Sequence, residues 1–151
     1  MGLEIYLEYF RKKKLDALGV DLSEGFIHRC EQRGFNVRRM DMENILLYPH
    51  FFDGIWAHAV LIHIPHERAE KTIQSWVKLL KRDGLLFLSA REGNTEGFER
   101  GEFDSQHQRW FSYYTDDEIR KWVTKKFDIV HFERGTNTDG KVWLKYWLRL
   151  K

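Results

Sequence analysis

Four polar residues whose side chains bind ligands or move protons lie near the ends of predicted strands in this 151-residue sequence. Asp21 and Asp41 each follow a short predicted strand. His58 and His63 lie within and just after a longer apolar stretch, Ile55–Ile62. A carboxylate accepts hydrogen bonds from hydroxyl and amino groups, and a histidine changes its charge near neutral pH. Because ligands of open α/β sheets bind outside the carboxyl ends of the strands, this placement predicts a ligand site there.

Phe52–Pro65 is the stretch around which the rest of the chain is organised. Its apolar residues form a nearly unbroken run, which is typical of a strand covered on both faces in the middle of a parallel sheet. Asp53 and Gly54 open the run and Pro65 closes it, because these residues favour turns. The stretch is therefore the best candidate both for the core and for the entrance to a site.

Length and composition predict one domain over residues 1–151. Apolar residues make up 42% of the chain and aromatic residues 15%, which is enough for a sizeable core. A formal net charge of +2 does not indicate a strong binder of nucleic-acid phosphates, and 32% charged residues without a long apolar run argue against a membrane protein. Cys30 is the one cysteine and cannot form an internal disulfide, so we expect a cytoplasmic protein.

The first part of the chain predicts two helices and two strands. Met1–Lys14 fits a helix with one apolar side; it also alternates like a strand, but the segment after it is too short to hold a crossover between parallel strands. Leu18–Leu22 is a predicted strand, and Ser23 suits the N-cap of the helix that follows. Gly34 is placed to end that helix, and Phe35–Met40 predicts the next strand.

The middle of the chain contains the clearest helix, Glu67–Lys81, whose apolar residues recur at the spacing of one buried face. Asp83 and Gly84 predict a turn, and Leu85–Ala90 predicts another buried strand. Strand and helix therefore alternate up to this point, which predicts a parallel sheet with right-handed crossovers.

The last part begins with Arg91–Ser112, which is charged, contains glycine and shows little periodicity. We expect a long loop that acts as a lid or binding segment. Thr115–Glu118 predicts a capping box at the start of a helix. Phe127–Glu133 and Val142–Leu150 alternate around a turn and predict two antiparallel strands at one sheet edge.

Several pieces of sequence occur in an order that is typical of one family. They are Gly19–Ser23 (GVDLS), Asp41, Phe52–Pro65 (FDGIWAHAVLIHIP), Leu79–Ser89 (LLKRDGLLFLS), Tyr113–Ile119 (YYTDDEI) and the FDIV hairpin. Together they resemble the class I S-adenosylmethionine-dependent methyltransferases, in particular the small-molecule branch. The resemblance rests on the collinear order of the pieces and implies a three-layer, Rossmann-like α/β fold. Its sheet would be mostly parallel with an antiparallel C-terminal hairpin.

The resemblance implies S-adenosylmethionine as the cofactor and no metal. Asp21 would accept hydrogen bonds from both ribose hydroxyls. Asp41 would accept one from the adenine amino group, and the backbone N–H of Met42 would meet a ring nitrogen. Small residues at the end of the central strand would let the methionine half approach the backbone. The residues implied to bind the cofactor are Asp21, Leu22, Asp41, Met42, Ala57 and His58.

Methyl transfer from a sulfonium depends mainly on alignment of the reactants and exclusion of water. A general base is needed only for a protonated or weakly acidic acceptor. The resemblance suggests a small-molecule acceptor. The side chains implied to contact it are His63, His58, Tyr113 and Tyr114, with Arg91 and Glu92 on the same face and Trp110 and Phe111 as walls of the lid.

Each of these residues also has a purely structural interpretation. Asp21 and Ser23 together suit a helix cap, and Asp41 suits an ordinary turn. His63 suits a packed, hydrogen-bonded histidine at a strand end, and the same holds for His58. The sequence leaves both interpretations open.

The sequence departs from the family at its beginning. The family has a first strand and a glycine-rich turn whose backbone amides approach the cofactor, and no such turn precedes Asp21. That strand would lie between the second and the central strand, so its loss leaves unpaired backbone groups on both. The two strands could close up, a second copy could fill the gap as a dimer or swapped dimer, or the sequence could be a truncated piece of a longer product. We therefore expect weak or absent cofactor binding by this chain alone.

Three other functions compete with methyl transfer. The first is a non-catalytic, methyltransferase-like domain that binds a partner. The second is a metal site of His58, His63 and His66, whose spacing fits no familiar ligand motif. The third is nucleic-acid binding through basic residues, although charge runs of this size are usually solvated faces. Those residues are Arg33, Arg38, Arg39 and the Arg11–Lys14 cluster.

Overall fold

The computed structural model describes residues 2–101 and 104–151 of an α/β fold. Its helices are α1 (Leu3–Lys12), α2 (Glu24–Gln32), α3 (His66–Val77) and α4 (Asp116–Val123). Its strands are β1 (Gly19–Asp21), β2 (Val37–Arg39), β3 (Phe52–Ala57), β4 (Leu80–Arg91), β5 (Glu96–Gly101), β6 (Asp104–Ser112), β7 (Phe127–Thr136) and β8 (Val142–Leu150). The chain divides into two compact units, Met1–Leu46 and Leu47–Lys151. Within the described residues, none of the helices has the length and apolar character needed to cross a membrane.

The first unit contains two short parallel strands and two helices. β1 pairs with β2, with Asp21 opposite Arg39 at the last position of the pair. One apolar cluster packs α1, α2 and β2 together and contains Leu7, Ile27, Cys30, Phe35 and Val37. The helix predicted at the start of the chain is confirmed, with Leu7 on its buried side.

The ends of α2 follow directly from the sequence. Ser23 is the N-cap, and its hydroxyl oxygen accepts a hydrogen bond from the backbone N–H of Phe26 at 3.3 Å. Gly34 follows the C-cap with φ +77°, a left-handed conformation that favours glycine. Both predicted ends of the helix are confirmed.

In the second unit, a four-stranded sheet has the order β3-β4-β8-β7. β3 is parallel to β4, whereas β8 is antiparallel to both of its neighbours. Helix α4 lies on the face of the sheet that carries Tyr146, whose hydroxyl donates to the carboxylate of Asp116 at 2.7 Å. Burial, followed by the hydrogen bond to this carboxylate, raises the pKa of Tyr146, so the phenol stays a donor. The buried side chains of α3, α4 and the sheet include Ala69, Ile73, Trp76, Leu86, Leu88, Ile119, Val123, Leu144 and Leu148.

The opposite face of this sheet carries a row of aromatic rings, one from each strand. Trp56 stacks on Phe87 with 3.9 Å between the ring centroids. Trp147 contacts Phe87 and His131, each with 4.9 Å between the centroids. Strand register places these four residues side by side. Each aromatic pair contributes about 0.5–1.5 kcal/mol beyond its buried area.

The central strand is shorter and more exposed than the sequence predicts. β3 ends at Ala57, and Leu61–His63 forms a 3-10 turn. Trp56 is 39% exposed, so the prediction of a strand covered on both faces is wrong. The apolar run is continuous because two different elements bury their side chains in succession, and Leu61 and Ile62 are buried from the 3-10 turn.

The predicted loop over Arg91–Ser112 is also wrong, because most of it forms a hairpin. β5 and β6 pair antiparallel, with Glu96 opposite Ser112 and Phe98 opposite Trp110. The rings of Phe98 and Trp110 meet edge to face with 5.2 Å between their centroids. Backbone pairing rather than apolar alternation defines these strands, so the periodicity that reveals other strands is missing here.

The remaining predicted elements are present, with different bounds for two of them. The capping box at Thr115 and the hairpin of β7 and β8 agree with the sequence, whereas α3 ends at Val77 rather than Lys81. β4 begins at Leu80 rather than Leu85, with Asp83 in a left-handed conformation inside it. The Rossmann-like α/β class with an antiparallel C-terminal hairpin is confirmed.

The family resemblance predicts an unpaired edge on β1 and on β3. Across residues 2–101 and 104–151, β1 pairs only with β2, and β3 pairs only with β4. The outcomes considered for these edges, including a dimer or swapped dimer, stay predictions.

The capping box gives a test of the fold. Thr115 and Glu118 each bond the other's backbone N–H, at 3.2 Å and 2.9 Å. We expect Thr115→Ala to lower the free energy of unfolding by about 1 kcal/mol, because α4 loses its N-cap. The matched control is Thr124→Ala at the exposed C-terminus of the same helix, where we expect a change within about 0.5 kcal/mol. Urea unfolding measures both; equal losses would contradict the capping role.

Candidate functional site

Asp21 is a half-buried residue at the last position of β1. Its Oδ1 accepts a hydrogen bond from the backbone N–H of Ser23 at 2.8 Å, which fixes the start of α2. Its backbone carbonyl accepts from the N–H of Met40 at 3.1 Å, so the chain after β2 stays beside it. No ion pair of Asp21 is present in the described part of the chain. The second carboxylate oxygen is therefore available to a ligand.

Asp41 has the same local arrangement just after β2. Its Oδ1 accepts from the backbone N–H of Glu43 at 2.9 Å, and its carbonyl accepts from Asn44 at 2.9 Å. The structural interpretation of each aspartate is thus correct: Asp21 fixes a helix start and Asp41 fixes a turn. Each aspartate uses only one carboxylate oxygen for this role. Because β1 and β2 are parallel, Asp21 and Asp41 both lie at the carboxyl end of the strand pair. Leu22 is 51% exposed beside them, and its carbonyl accepts from Arg39 Nε at 3.0 Å.

In the second unit, His58 directly follows Ala57, which is buried at the end of β3. The hydroxyl oxygen of Ser89 on β4 accepts from the N–H of Ala59 at 2.8 Å and lies 3.2 Å from His58 Nδ1. The Ser89 hydroxyl is therefore within hydrogen-bond distance of both the His58 ring and the turn that follows it. Burial, followed by the charge of Lys145, lowers the pKa of His58. The imidazole is therefore neutral at pH 7.

The turn after β3 is held in an uncommon backbone conformation. Ala59 has φ +56°, a left-handed value that costs roughly 1–2 kcal/mol for a residue with a β-carbon. The hydrogen bond from its N–H to Ser89 helps to hold this conformation. Such strain concentrates at functional sites.

His63 belongs to a different part of the second unit, beside the β5–β6 hairpin. Its Nδ1 donates to the backbone carbonyl of Trp110 at 3.3 Å, which leaves Nε2 as the nitrogen that can take a proton. The ring keeps an exposed edge, but partial burial lowers its pKa, and the charges of Arg109 and Arg91 add to this effect. An open cleft of about 540 Å³ adjoins it. The cleft is lined by His63, Pro65, Glu67, Arg68, Glu96, Phe98 and Trp110.

The two predicted tyrosines have different environments. The hydroxyl of Tyr113 donates to Glu99 at 3.0 Å and accepts from Lys141 Nζ at 3.2 Å, so it belongs to a polar network. Tyr114 is fully buried and its hydroxyl donates to the backbone carbonyl of Ile64. The side chain of Tyr114 stabilises the core, so the prediction that it contacts an acceptor is wrong.

Two functional candidates were not found from the sequence. Ser89 is fully buried and links His58 to Ala59; a lone serine within an apolar strand is the signal that identifies it. Glu96 accepts from the N–H of His66 at 2.7 Å and from the Ser112 hydroxyl at 3.2 Å. No apolar alternation marks the strand that contains Glu96, so this residue could not be identified from the sequence.

The three histidines of the metal hypothesis have separate partners. His58 contacts Ser89, His63 contacts Trp110, and Nε2 of His66 lies 2.6 Å from the carbonyl of Tyr113. Within residues 2–101 and 104–151, no group of three or more histidine, cysteine or acidic side chains is arranged to hold a metal ion.

Comparison with known proteins places the chain in a family. The family model described as "Methyltransferase domain" matches residues 1–88, more than half of the sequence. The chain belongs to the methyltransferase domain family. A search of curated proteins finds no match.

Solved methyltransferase structures have the same fold. One is a SAM-dependent methyltransferase from Methanosarcina mazei, 14% identical, with a TM-score of 0.78 over 95% of this chain and 86% of that chain. Another is 1,6-didemethyltoxoflavin-N1-methyltransferase from Burkholderia thailandensis with bound 1,6-didemethyltoxoflavin and S-adenosylhomocysteine. It is 20% identical, with a TM-score of 0.74 over 95% of this chain and 65% of that chain. A SAM-dependent methyltransferase from Mesorhizobium loti is 16% identical, with a TM-score of 0.73 over 95% and 85%. The resemblance to class I methyltransferases, whose cofactor is S-adenosylmethionine, is thereby confirmed.

The neutral state of His58 predicts a pH dependence of stability. Because its folded-state pKa lies below the ordinary value of 6.5, the unfolded chain takes up a proton first as the pH falls. Stability present above about pH 6.5 is therefore lost as the pH falls towards the folded-state pKa. We expect His58→Asn to show a smaller loss of unfolding free energy than wild type between about pH 7.5 and about pH 5.5.

Urea unfolding across this range measures the difference. His28→Asn, at an exposed histidine, is the matched control and should follow the wild-type curve. Parallel curves for wild type and His58→Asn would contradict the neutral, hydroxyl-bonded histidine.

Proposed function

We propose that the chain is an S-adenosylmethionine-dependent methyltransferase that acts on a small-molecule acceptor. The observation that carries the proposal is the pair Asp21 and Asp41. Asp21 is the last residue of β1 and Asp41 follows β2, so both lie at the carboxyl ends of neighbouring parallel strands, and each uses only one oxygen for a local turn. Family membership supports the proposal.

The residues of the first unit fit the adenosine half of the cofactor. The free oxygen of Asp21 would accept from ribose hydroxyls, and that of Asp41 from the adenine amino group. The exposed side chain of Leu22 and the backbone of Met42 would lie along the base. For the methionine half, the family resemblance implies Ala57 and His58, and this assignment stays a prediction.

The bound cofactor would supply a methyl group on a positively charged sulfur. The task of this chain is then to orient the acceptor, exclude water and remove a proton where the acceptor carries one. His63 suits the last task, because its Nε2 is unprotonated near neutral pH and lies beside the cleft. The β5–β6 hairpin, with Phe98 and Trp110 in the cleft wall, would exclude water.

A small acceptor fits the size of this cleft, whose volume of about 540 Å³ lies in the usual range for small-molecule sites. The similar methyltransferase structure from Burkholderia thailandensis has 1,6-didemethyltoxoflavin bound. Tyr113, whose hydroxyl contacts Glu99 and Lys141, is a further residue proposed to contact the acceptor.

Calorimetric titration with S-adenosylhomocysteine tests the proposal. We expect saturable binding of S-adenosylhomocysteine. Asp21→Asn and Asp41→Asn should each weaken it by about tenfold or more, because each removes a charge-assisted hydrogen bond.

Asp128→Asn is the matched control, since Asp128 is exposed on β7, and it should leave the affinity unchanged. The absence of saturable binding at millimolar ligand would favour the non-catalytic alternative. Binding that neither aspartate variant alters would contradict the proposed cofactor site.

A further inference from the structure

Arg91, the last residue of β4, holds a positive charge that no described side chain neutralises. The residue is half-buried, and its guanidinium lies between two aromatic rings, 5.4 Å from the centroid of Phe111 and 5.2 Å from that of Trp143. Its Nε is buried without a hydrogen-bond acceptor. In the part of the chain whose side chains are described, it has no carboxylate partner. Buried arginines are normally paired, so this arrangement is unusual.

A second unpartnered donor belongs to the same cluster. Trp143 is only 7% exposed, and its indole Nε1–H is buried without an acceptor. Trp143 packs with Ile62 and Phe111 into one apolar group next to the β5–β6 hairpin. A buried donor without a partner is destabilising, and two such donors flank this aromatic cluster. Both would be satisfied by a group that carries acceptor oxygens.

The nearest carboxylates in sequence are engaged elsewhere. Glu92 is paired with Arg134 at 2.7 Å. Glu96 accepts from His66 and Ser112, and Glu99 accepts from Tyr113. They are therefore not available to neutralise Arg91.

Two further cations act on the histidines of this unit. Arg109 acts with Arg91 on His63, and Lys145 acts on His58. Because the carboxylates beside the cluster already have donors, these cations add to the preference of Arg91 for an anion.

We propose that the acceptor is a small organic acid whose carboxylate binds Arg91. This inference rests on the proposed methyltransferase function and names its substrate class. The guanidinium presents a planar fork that matches the two oxygens of a carboxylate, and Phe111 and Trp143 hold the fork in place. His63 connects the anion subsite to the cleft, because its ring contacts Phe111 with 5.4 Å between the centroids. The rest of the acid then extends towards His63.

The test follows the side-chain N–H signals of the full chain in 1H–15N spectra. Trp143→Phe and Arg91→Gln assign the indole Nε1–H and the guanidinium Nε–H by their loss. The probes are benzoate, its neutral analogue benzamide, and phenyl phosphate. We expect benzoate to shift both signals saturably and benzamide to shift neither. Arg91→Gln should weaken the benzoate-induced shift of Trp143 by about tenfold or more.

Arg82→Gln, at an exposed arginine of the same strand, is the matched control and should bind benzoate like wild type. Arg91→Lys keeps the charge without the fork and should bind with intermediate affinity. Benzoate that shifts neither signal, equal shifts with benzamide, or a response to phenyl phosphate alone would overturn the carboxylate subsite.

A parallel titration with S-adenosylhomocysteine separates this inference from the proposed function. Failure of benzoate while S-adenosylhomocysteine binds would overturn only the organic-acid acceptor. Binding of benzoate at Arg91 without S-adenosylhomocysteine binding would overturn the acceptor role, because the methyl donor would have no site.

Discussion

Parallel strand pairing determines where the chemically useful side chains of both units lie. In the first unit, β1 and β2 run in the same direction, so Asp21 and Asp41 leave the sheet at one edge. In the second unit, the parallel register of Ala57 with Leu88 puts His58 opposite Ser89. The hydroxyl of Ser89 then contacts both the ring of His58 and the turn at Ala59. Antiparallel pairing in either place would send these residues to opposite ends.

The side chains near the proposed acceptor site depend on a different element, the β5–β6 hairpin. It carries Trp110, whose carbonyl fixes His63, and Phe111, whose ring packs against Arg91. Glu96 ties the hairpin to the start of α3 through the N–H of His66. A displacement of the hairpin would therefore move the contacts of His63 and of the proposed anion subsite together.

The sequence predicted those parts of the fold in which local chemistry decides the structure. Ser23, Gly34 and Thr115 mark helix ends by capping, and apolar spacing identifies α3 and the C-terminal hairpin. The β5–β6 hairpin was missed because its polar strands are defined by backbone pairing. The extent of β3 was misjudged because an apolar run shows burial but not the element that produces it.

The candidate site was predictable to the same degree. Asp21, Asp41, His58 and His63 could be named because acids and histidines at strand ends are visible in sequence. The link between His58 and Ser89 and the unpaired charge of Arg91 depend on strand register and packing, which one sequence does not reveal. Tyr114 was misassigned for the same reason, since burial rather than residue type decides its role.

The most direct measurement is a crystal structure of this chain with S-adenosylhomocysteine. The proposed site requires the ribose hydroxyls within hydrogen-bond distance of Asp21 and the adenine amino group on Asp41. A nucleoside bound elsewhere, with both carboxylates engaged only in their turns, would contradict the assignment.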